Sequence, residues 1–241
     1  MPPEPEYLIG LDLGRQHDYS AIAIAERRAV RAPDAPADIP GQPARFAAGV
    51  GAYDIVHLER QRGEPYTALP GRLRDLLRAI DRAHEGRHRR PAKTALIVDQ
   101  TGVGVAVVDI LRAAGHEPVA VTIHGGDATT RAEDRGWRVP KRELVGVVQV
   151  LLQARRLRVA AELAHAPTLV AEFQNFKAKI SLAGHDSFGA GEDWREGNHD
   201  DLVLAVALAC WFGEHVRVPL ASVGSYFAPR SPPDRGPFPT R

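Results

Sequence analysis

Cysteine occurs only once in this sequence of 241 residues, as Cys210 within an apolar run. A single cysteine cannot form an intramolecular disulfide, and it cannot build a cysteine-based zinc site. The first residues, MPPEPEY, lack the pattern of a signal peptide, and no run of eighteen uninterrupted apolar residues is present. These absences favour a protein of a reducing cytoplasm that has no membrane as a partner.

A charge excess of either sign is also missing, since 31 basic and 30 acidic side chains leave a net charge of +1. The total charge therefore predicts no partner, and any surface for nucleic acid has to come from local clusters. We expect one domain over residues 1–216, with a flexible insertion at 27–43. The Pro/Arg-rich tail at 217–241 is expected to be disordered.

The first apolar stretch, YLIGLDLGRQHDYSAIAIAE, predicts two strands joined by a turn. The first strand ends at Asp12, and Asp18 follows the turn, so both carboxylates can lie at one end of the sheet. Oxygen ligands of this kind suit a hard cation such as Mg²⁺. The alternative is that both residues serve only the turn, because aspartate is common there for local hydrogen-bonding reasons.

The later segments alternate between strand and helix patterns, as is typical of a mixed α/β sheet. We predict strands at 46–58, 94–99 and 118–123, a short basic strand or turn at 155–159, a hairpin at 177–188, and helices at 66–84, 105–114, 163–176, from 140, and from about 197 to 212. The first three strands form an antiparallel meander, and a strand–helix–strand unit adds parallel strands. Ligands of such sheets bind beyond the carboxyl ends of the strands, where Asp99 falls.

Three apolar elements of this predicted sheet stop at aspartate: Asp12, Asp99, and the pair Asp200 and Asp201. Clustered carboxylates repel one another unless cations neutralise them, so the arrangement predicts bound metal. Two metal ions can activate water and stabilise a leaving oxygen, as phosphodiester cleavage requires.

The acidic pair also has an ordinary structural explanation, because acids stabilise the first turn of a helix as N-cap and dipole partners. Adjacent helical residues point about 100° apart. We therefore expect one of Asp200 and Asp201 to face the metals, while the other caps the helix or holds a water.

Four basic residues are candidates for contact with a phosphate backbone. Lys141 and Arg142 begin a helix, where a positive charge gains nothing from the helix dipole, so an anionic ligand is one reason for their presence. Lys177 and Lys179 alternate with apolar residues and would give the predicted hairpin a basic face. The competing interpretation is an ordinary solvated surface.

Four segments occur in an order that resembles a known family: GLDLGRQHDYSAIAI, VDQTGVG, VPKRELVGVVQVLLQ and HDDLVLAVALA. Together with the hairpin before the last of them, they look like the nuclease domain of the large terminase subunit of tailed bacteriophages. The resemblance covers residues 7–213 and implies a ribonuclease-H-like mixed sheet. In this fold an antiparallel three-strand meander is joined by parallel strands, helices flank the sheet, and a β-hairpin precedes the last helix.

The resemblance implies an endonuclease that cleaves double-stranded DNA with two Mg²⁺ or Mn²⁺ ions. Its metal-binding acids match Asp12, Asp99, Asp200 and Asp201, and an accessory acid matches Asp18. The hairpin would lie near the DNA path. The implied setting is the cytoplasm of a bacterial host, with a separate ATPase, the small terminase subunit or the portal as candidate partners.

The sequence departs from a complete large terminase, because it has no Walker-type glycine loop and therefore no sign of the ATPase domain. We expect a separately encoded nuclease half, a prophage remnant or an excised domain. Three alternatives stay open: a junction-resolvase-like nuclease, a catalytically idle DNA-binding or packaging-assembly module, and a sugar-kinase or actin-like ATPase domain. The last is suggested by LDLG before a hairpin, which also resembles a phosphate-binding turn.

Overall fold

The fold is known from a computed structural model, which describes residues 5–14, 18–31, 49–132, 136–182 and 200–216. Its strands are β1 Glu6–Asp12, β2 Tyr19–Arg31, β3 Gly49–Arg62, β4 Lys93–Asp99, β5 Val119–His124, β6 Thr130–Arg131, β7 Trp137–Pro140 and β8 Leu157–Val159. Its helices are α1 Leu69–His88, α2 Gly104–Ala113, α3 Lys141–Gln153, α4 Ala166–Leu182 and α5 Asp201–His215. A 3₁₀ turn, Tyr66–Ala68, precedes α1.

The strands form one sheet in the order β6-β7-β5-β4-β1-β2-β3-β8. Strands β1, β2 and β3 are an antiparallel meander. Strands β4, β5 and β7 continue the sheet parallel to β1, and β8 lies parallel to β3 at the edge. The predicted mixed sheet, with a meander joined by parallel strands and flanked by helices, is therefore confirmed.

The central strand, β1, is apolar on both faces, as a strand covered on both sides has to be. Leu8 belongs to the hydrophobic cluster on the side of α5. Ile9 and Leu11 belong to the cluster on the side of α1 and α2. Because successive side chains of a strand point to opposite faces, this division fixes the face on which each residue of β1 lies.

Helix α5 is buried along nearly its whole length and lies against β1. Gly10 permits the close contact, because a Cβ at that position would collide with the backbone carbonyl of Ala205. Near the other end of the helix, Gly213 lies against Leu8. Helix α5 therefore runs opposite to β1, and its first turn lies at the edge of the sheet where Asp12 ends the strand.

Strand β2 is longer than the sequence predicts, since it continues to Arg31. The first residues of the predicted insertion at 27–43 therefore belong to the sheet. Ion pairs stabilise the basic residues in this part of the sheet: Arg27 contacts Glu6 at 3.2 Å, and Arg28 contacts Asp54. The rest of the predicted insertion lies outside the described residues, as does the predicted tail at 217–241.

The predicted hairpin at 177–188 is wrong in its first half, because α4 continues through Leu182. The reason is visible in the sequence, where Leu169, Phe173, Phe176 and Ile180 follow one another at spacings of three and four. Residues 183–199, which hold the rest of the predicted hairpin, lie outside the described part of the chain. Lys177 and Lys179 thus belong to a helix, and their role in DNA binding stays a prediction.

Two smaller findings complete the fold. The polar stretch at 124–138, which follows β5, contains β6 and the start of β7. Among the helices that the structure describes, none combines the length and the apolar character needed to cross a membrane.

Candidate active site

The carboxyl ends of β1 and β4 meet at one edge of the sheet, since the two strands are parallel neighbours. Leu11 pairs with Val98, so Asp12 and Asp99 are the next residues on adjacent strands. Both are buried, with exposed fractions of 7% and 3%. Two buried acids at adjacent strand ends are the starting point of the candidate site.

Both of these acids lie on the face that α5 covers. Asp12 follows Leu8 and Gly10 on that face at the two-residue period of a strand, and Asp99 follows Ile97 in the same way. Because the first turn of α5 lies at the same edge, Asp200 and Asp201 approach the site from the helix. The structure therefore brings the strand-end acids and the acidic pair to one corner of the fold.

Asp99 also organises the turn that follows β4. Its Oδ1 accepts a hydrogen bond of 2.7 Å from the backbone N–H of Thr101. The Thr101 hydroxyl in turn accepts a bond of 2.9 Å from the N–H of Ile123 in β5. Asp99 thus has the turn role that aspartate commonly takes, in addition to its place at the edge.

Asp18 lies at the rim of the same edge, immediately before β2, and is exposed. The pKa of Tyr66 is raised by burial first and by the Asp18 charge second. The Tyr66 hydroxyl donates to the Gly14 carbonyl at 2.5 Å and so ties the first turn to the 3₁₀ segment. The accessory role of Asp18 stays a prediction.

The acidic pair is neutralised by two cations of the chain itself. Lys141 Nζ lies 3.1 Å from Asp200 Oδ2. Arg60 donates from Nε and Nη2 to Asp201 Oδ2 at 3.3 and 3.1 Å. The sequence predicts that metal neutralises these acids; in the structure, the two cations also contribute to their neutralisation. Lys141, predicted to bind DNA, thus belongs to the site, whereas Arg142 pairs with the exposed Asp127 at 2.6 Å.

A residue that the sequence analysis did not identify, Glu172 of α4, holds the first turn of α5. Its Oε2 accepts hydrogen bonds from the N–H groups of Leu202 and Val203 at 3.0 and 3.1 Å. Burial raises the pKa of Glu172 to about 7; the neighbouring Asp201 acts in the same direction, while the two amides and Arg60 oppose it. The N-cap residue Asp200 makes no side-chain capping bond within the described structure, so of the two roles expected for the second acid of the pair, a bound water stays a prediction.

Arg60 and Glu172 both had a weak signal in the sequence. Arg60 is one of several charged residues in ERQR at the end of β3, where its guanidinium also stacks 3.8 Å above the Tyr19 ring. Glu172 follows Leu169 by three residues and precedes Phe173, so it interrupts the apolar side of a predicted helix. A charged residue at such a position is a reason to look for a buried partner.

The donor set suits a hard divalent cation in its chemistry, since Mg²⁺ and Mn²⁺ take carboxylate oxygens. Among the residues that the structure describes, however, no three His, Cys, Asp or Glu side chains are grouped so that they could hold a metal ion. The acids share an edge and a face of the sheet, while Lys141 and Arg60 occupy the pair from α5. Metal ligation by the predicted residues therefore stays a prediction.

No protein-family model matches the sequence, and no curated protein matches it. Several solved structures are similar to the chain. The large terminase nuclease from thermophilic phage G20c is 19% identical with a TM-score of 0.45, and the match covers 86% of this chain and 82% of that one. The same nuclease with bound magnesium is 20% identical, with a TM-score of 0.45 and coverage of 86% and 81%.

Two further similarities involve other sources. The human cytomegalovirus terminase nuclease domain, Mn soaked and inhibitor bound, is 11% identical with a TM-score of 0.45, and the match covers 88% of this chain and 85% of that one. RuvC of Thermus thermophilus is 14% identical with a TM-score of 0.32, and the match covers 90% and 98%. These solved structures are what the chain is similar to, at low sequence identity.

Proposed function

We propose that this chain is a metal-dependent endonuclease that hydrolyses phosphodiester bonds of double-stranded DNA. The observation that carries the proposal is the convergence of buried strand-end acids and a helix-borne acidic pair at one corner of the sheet. Asp12, Asp99, Asp200 and Asp201 are the proposed ligands of two Mg²⁺ or Mn²⁺ ions, and Asp18 is the proposed accessory acid. When bound, such ions activate water and stabilise the leaving oxygen of the cleaved bond.

The chain's own contribution is to hold its acids in fixed positions. Asp12 and Asp99 end hydrogen-bonded strands in the middle of the sheet, so the main chain that carries them has little freedom. Asp200 and Asp201 begin a helix whose body is packed into the core. The positive end of the helix dipole favours negative charge at this position, both that of the acids and that of a DNA phosphate.

The cations of the site have a proposed role with the substrate. Lys141 pairs with Asp200 at the start of α5, where a DNA backbone would bring further negative charge. Arg142, Lys177 and Lys179 are proposed as additional contacts with the backbone. A separate ATPase, the small terminase subunit and the portal are proposed as protein partners, on the resemblance of the sequence segments.

The proposal is tested by cleavage of supercoiled plasmid with Mn²⁺ or Mg²⁺. We expect nicked and linear products from the wild type and a loss of at least about 100-fold for Asp12→Ala and Asp99→Ala, because each removes a charged ligand of the metals. Asp75→Ala is a matched control, since Asp75 is an exposed acid of α1 whose side chain is 80% accessible. Equal cleavage by all four proteins would overturn the proposal.

A catalytically idle DNA-binding or packaging-assembly module is the second candidate. The observation that favours it is that both acids of the pair form ion pairs with cations of the chain, Asp200 with Lys141 and Asp201 with Arg60. This candidate predicts salt-dependent binding of duplex DNA with no cleavage in either metal. The plasmid assay, combined with a DNA-binding titration, separates the two candidates.

A further inference from the structure

We propose that Glu172 is a positioning residue of the candidate site, which caps α5 in place of Asp200 and so leaves both acids of the pair to the site. The inference rests on the proposed function, because it assigns Glu172 a part in holding the acids that would bind metal. It concerns a residue on α4, distant in sequence from every acid of the site.

The first amides of a helix need acceptors, and the N-cap side chain commonly accepts from the second and third of them. Asp200 is at the N-cap and is of a residue type favoured there, yet its carboxylate pairs with Lys141. The second and third amides, of Leu202 and Val203, are bound instead by the single oxygen Oε2 of Glu172. Glu172, which lies on α4, thus accepts the hydrogen bonds that the N-cap side chain of α5 would otherwise accept.

Burial of the Glu172 side chain costs free energy unless other contacts offset it. Its side chain is only 5% exposed, and a buried carboxylate is unfavourable without compensating partners. Oε1 has no hydrogen-bond partner in the described structure and lies 3.8 Å from Arg60 Nη2. If helix packing alone were required, an apolar residue would suit this position on α4 better.

Arg60 connects the capping acid to the site. The same guanidinium donates two hydrogen bonds to Asp201 and lies within ion-pair distance of Glu172. Asp201 is therefore oriented by a cation that Glu172 also contacts. Asp200 is oriented by Lys141. Because Glu172 accepts the hydrogen bonds of the Leu202 and Val203 amides, Asp200 is not needed as their acceptor.

Loss of Glu172 changes this arrangement in a defined way. In Glu172→Ala the amides of Leu202 and Val203 lose their acceptor, and the closest replacement in sequence is Asp200, which lies at the N-cap. Rotation of Asp200 into the capping position removes one proposed ligand from the site. Glu172→Gln keeps a side-chain carbonyl oxygen that can accept from both amides.

Calorimetric titration of Mn²⁺ into the full chain, without DNA, tests the inference. We expect the Mn²⁺ dissociation constant to rise roughly fivefold or more in Glu172→Ala, which is the typical worth of one helix cap, and to stay within about twofold in Glu172→Gln. Gln174→Ala is the matched control, because Gln174 is exposed on the same helix. Hydrogen exchange should show faster exchange of the Leu202 and Val203 amides in Glu172→Ala only.

A double-mutant cycle separates positioning from simple structural support. Asp200→Asn should weaken Mn²⁺ binding less in the Glu172→Ala background than in the wild type, because Asp200 has already left the site. Unchanged Mn²⁺ affinity in a less stable Glu172→Ala would overturn the positioning role and leave the proposed function standing.

Two further outcomes are decisive. If Glu172→Ala does not fold, Glu172→Gln decides alone, and a weakening of Mn²⁺ binding by more than about twofold contradicts the capping role of Glu172. A wild type that binds no Mn²⁺ would overturn the proposed function and this inference together.

Discussion

The close contact between β1 and α5 can be tested by Gly10→Ala. Gly10 lies in regular strand, so its backbone conformation suits alanine, and the only new feature is a methyl group. That methyl would collide with the carbonyl oxygen of Ala205 and lie 3.3 Å from the amide nitrogen of Ala209. Both neighbours are backbone atoms of a buried helix, so no side-chain rotation can relieve the collision, and α5 has to shift.

The expected loss of stability follows from this geometry. Overpacking a core by one methyl costs about 1–3 kcal/mol, and a rigid backbone neighbour puts Gly10→Ala at about 3 kcal/mol or more. With a urea m-value of about 2 kcal/mol/M, the unfolding midpoint should fall by about 1.5 M. A displaced α5 also separates Asp200 and Asp201 from the strand-end acids, so Mn²⁺ binding should weaken as well.

Urea unfolding followed by circular dichroism measures the effect. Gly146→Ala is the matched control, since Gly146 lies in α3 and a Cβ there meets no atom within 4 Å. Replacing a helical glycine in open space should raise stability by up to about 1 kcal/mol, opposite in sign to the effect at Gly10. A midpoint for Gly10→Ala that equals or exceeds that of the wild type would refute the packing of α5 against β1 described above.

Two other predictions concern the charges of the site. In Lys141→Ala, Mn²⁺ should bind more tightly because no ammonium group competes for Asp200, while DNA binding should weaken with a salt slope smaller by about one; weaker Mn²⁺ binding in calorimetry would contradict this. Folding raises the pKa of Glu172 from its ordinary value of 4.5 to about 7. At a pH between these two values, the folded chain holds a proton on Glu172 that the unfolded chain has already released. Stability from this carboxyl is therefore highest at low pH and is lost as the pH rises through that window. Urea unfolding at about pH 5 and about pH 8 should show a smaller decline for Glu172→Gln than for the wild type, and parallel declines would contradict the assignment.

The strand-end acids could be found from sequence because they depend only on local patterns. An apolar run that stops at Asp12 and another that stops at Asp99 define two strands of the predicted mixed sheet. The sequence does not predict that these two strands are parallel neighbours, which the structure shows. The face on which α5 packs was not predictable, since it depends on the contact between Gly10 and Ala205.

The cations and the cap could not be found in this way. Arg60, Lys141 and Glu172 come from β3, α3 and α4, and only the folded chain brings them to the start of α5. A charged residue among apolar ones shows that a partner is needed without showing which one. The hairpin error has a different cause, because a short alternation such as KAKI fits both a strand and the end of an amphipathic helix.

The proposed function requires that the acids of β1, β4 and α5 act together in metal-dependent cleavage. Its most direct test is the rate of plasmid cleavage by wild type and Asp99→Asn, each measured with Mn²⁺ and with a chelator. The substitution keeps the size of the side chain and an acceptor oxygen for the Thr101 amide while removing the charge. We expect cleavage only by the wild type with Mn²⁺, whereas cleavage that persists in Asp99→Asn or in the chelator would contradict the proposed function.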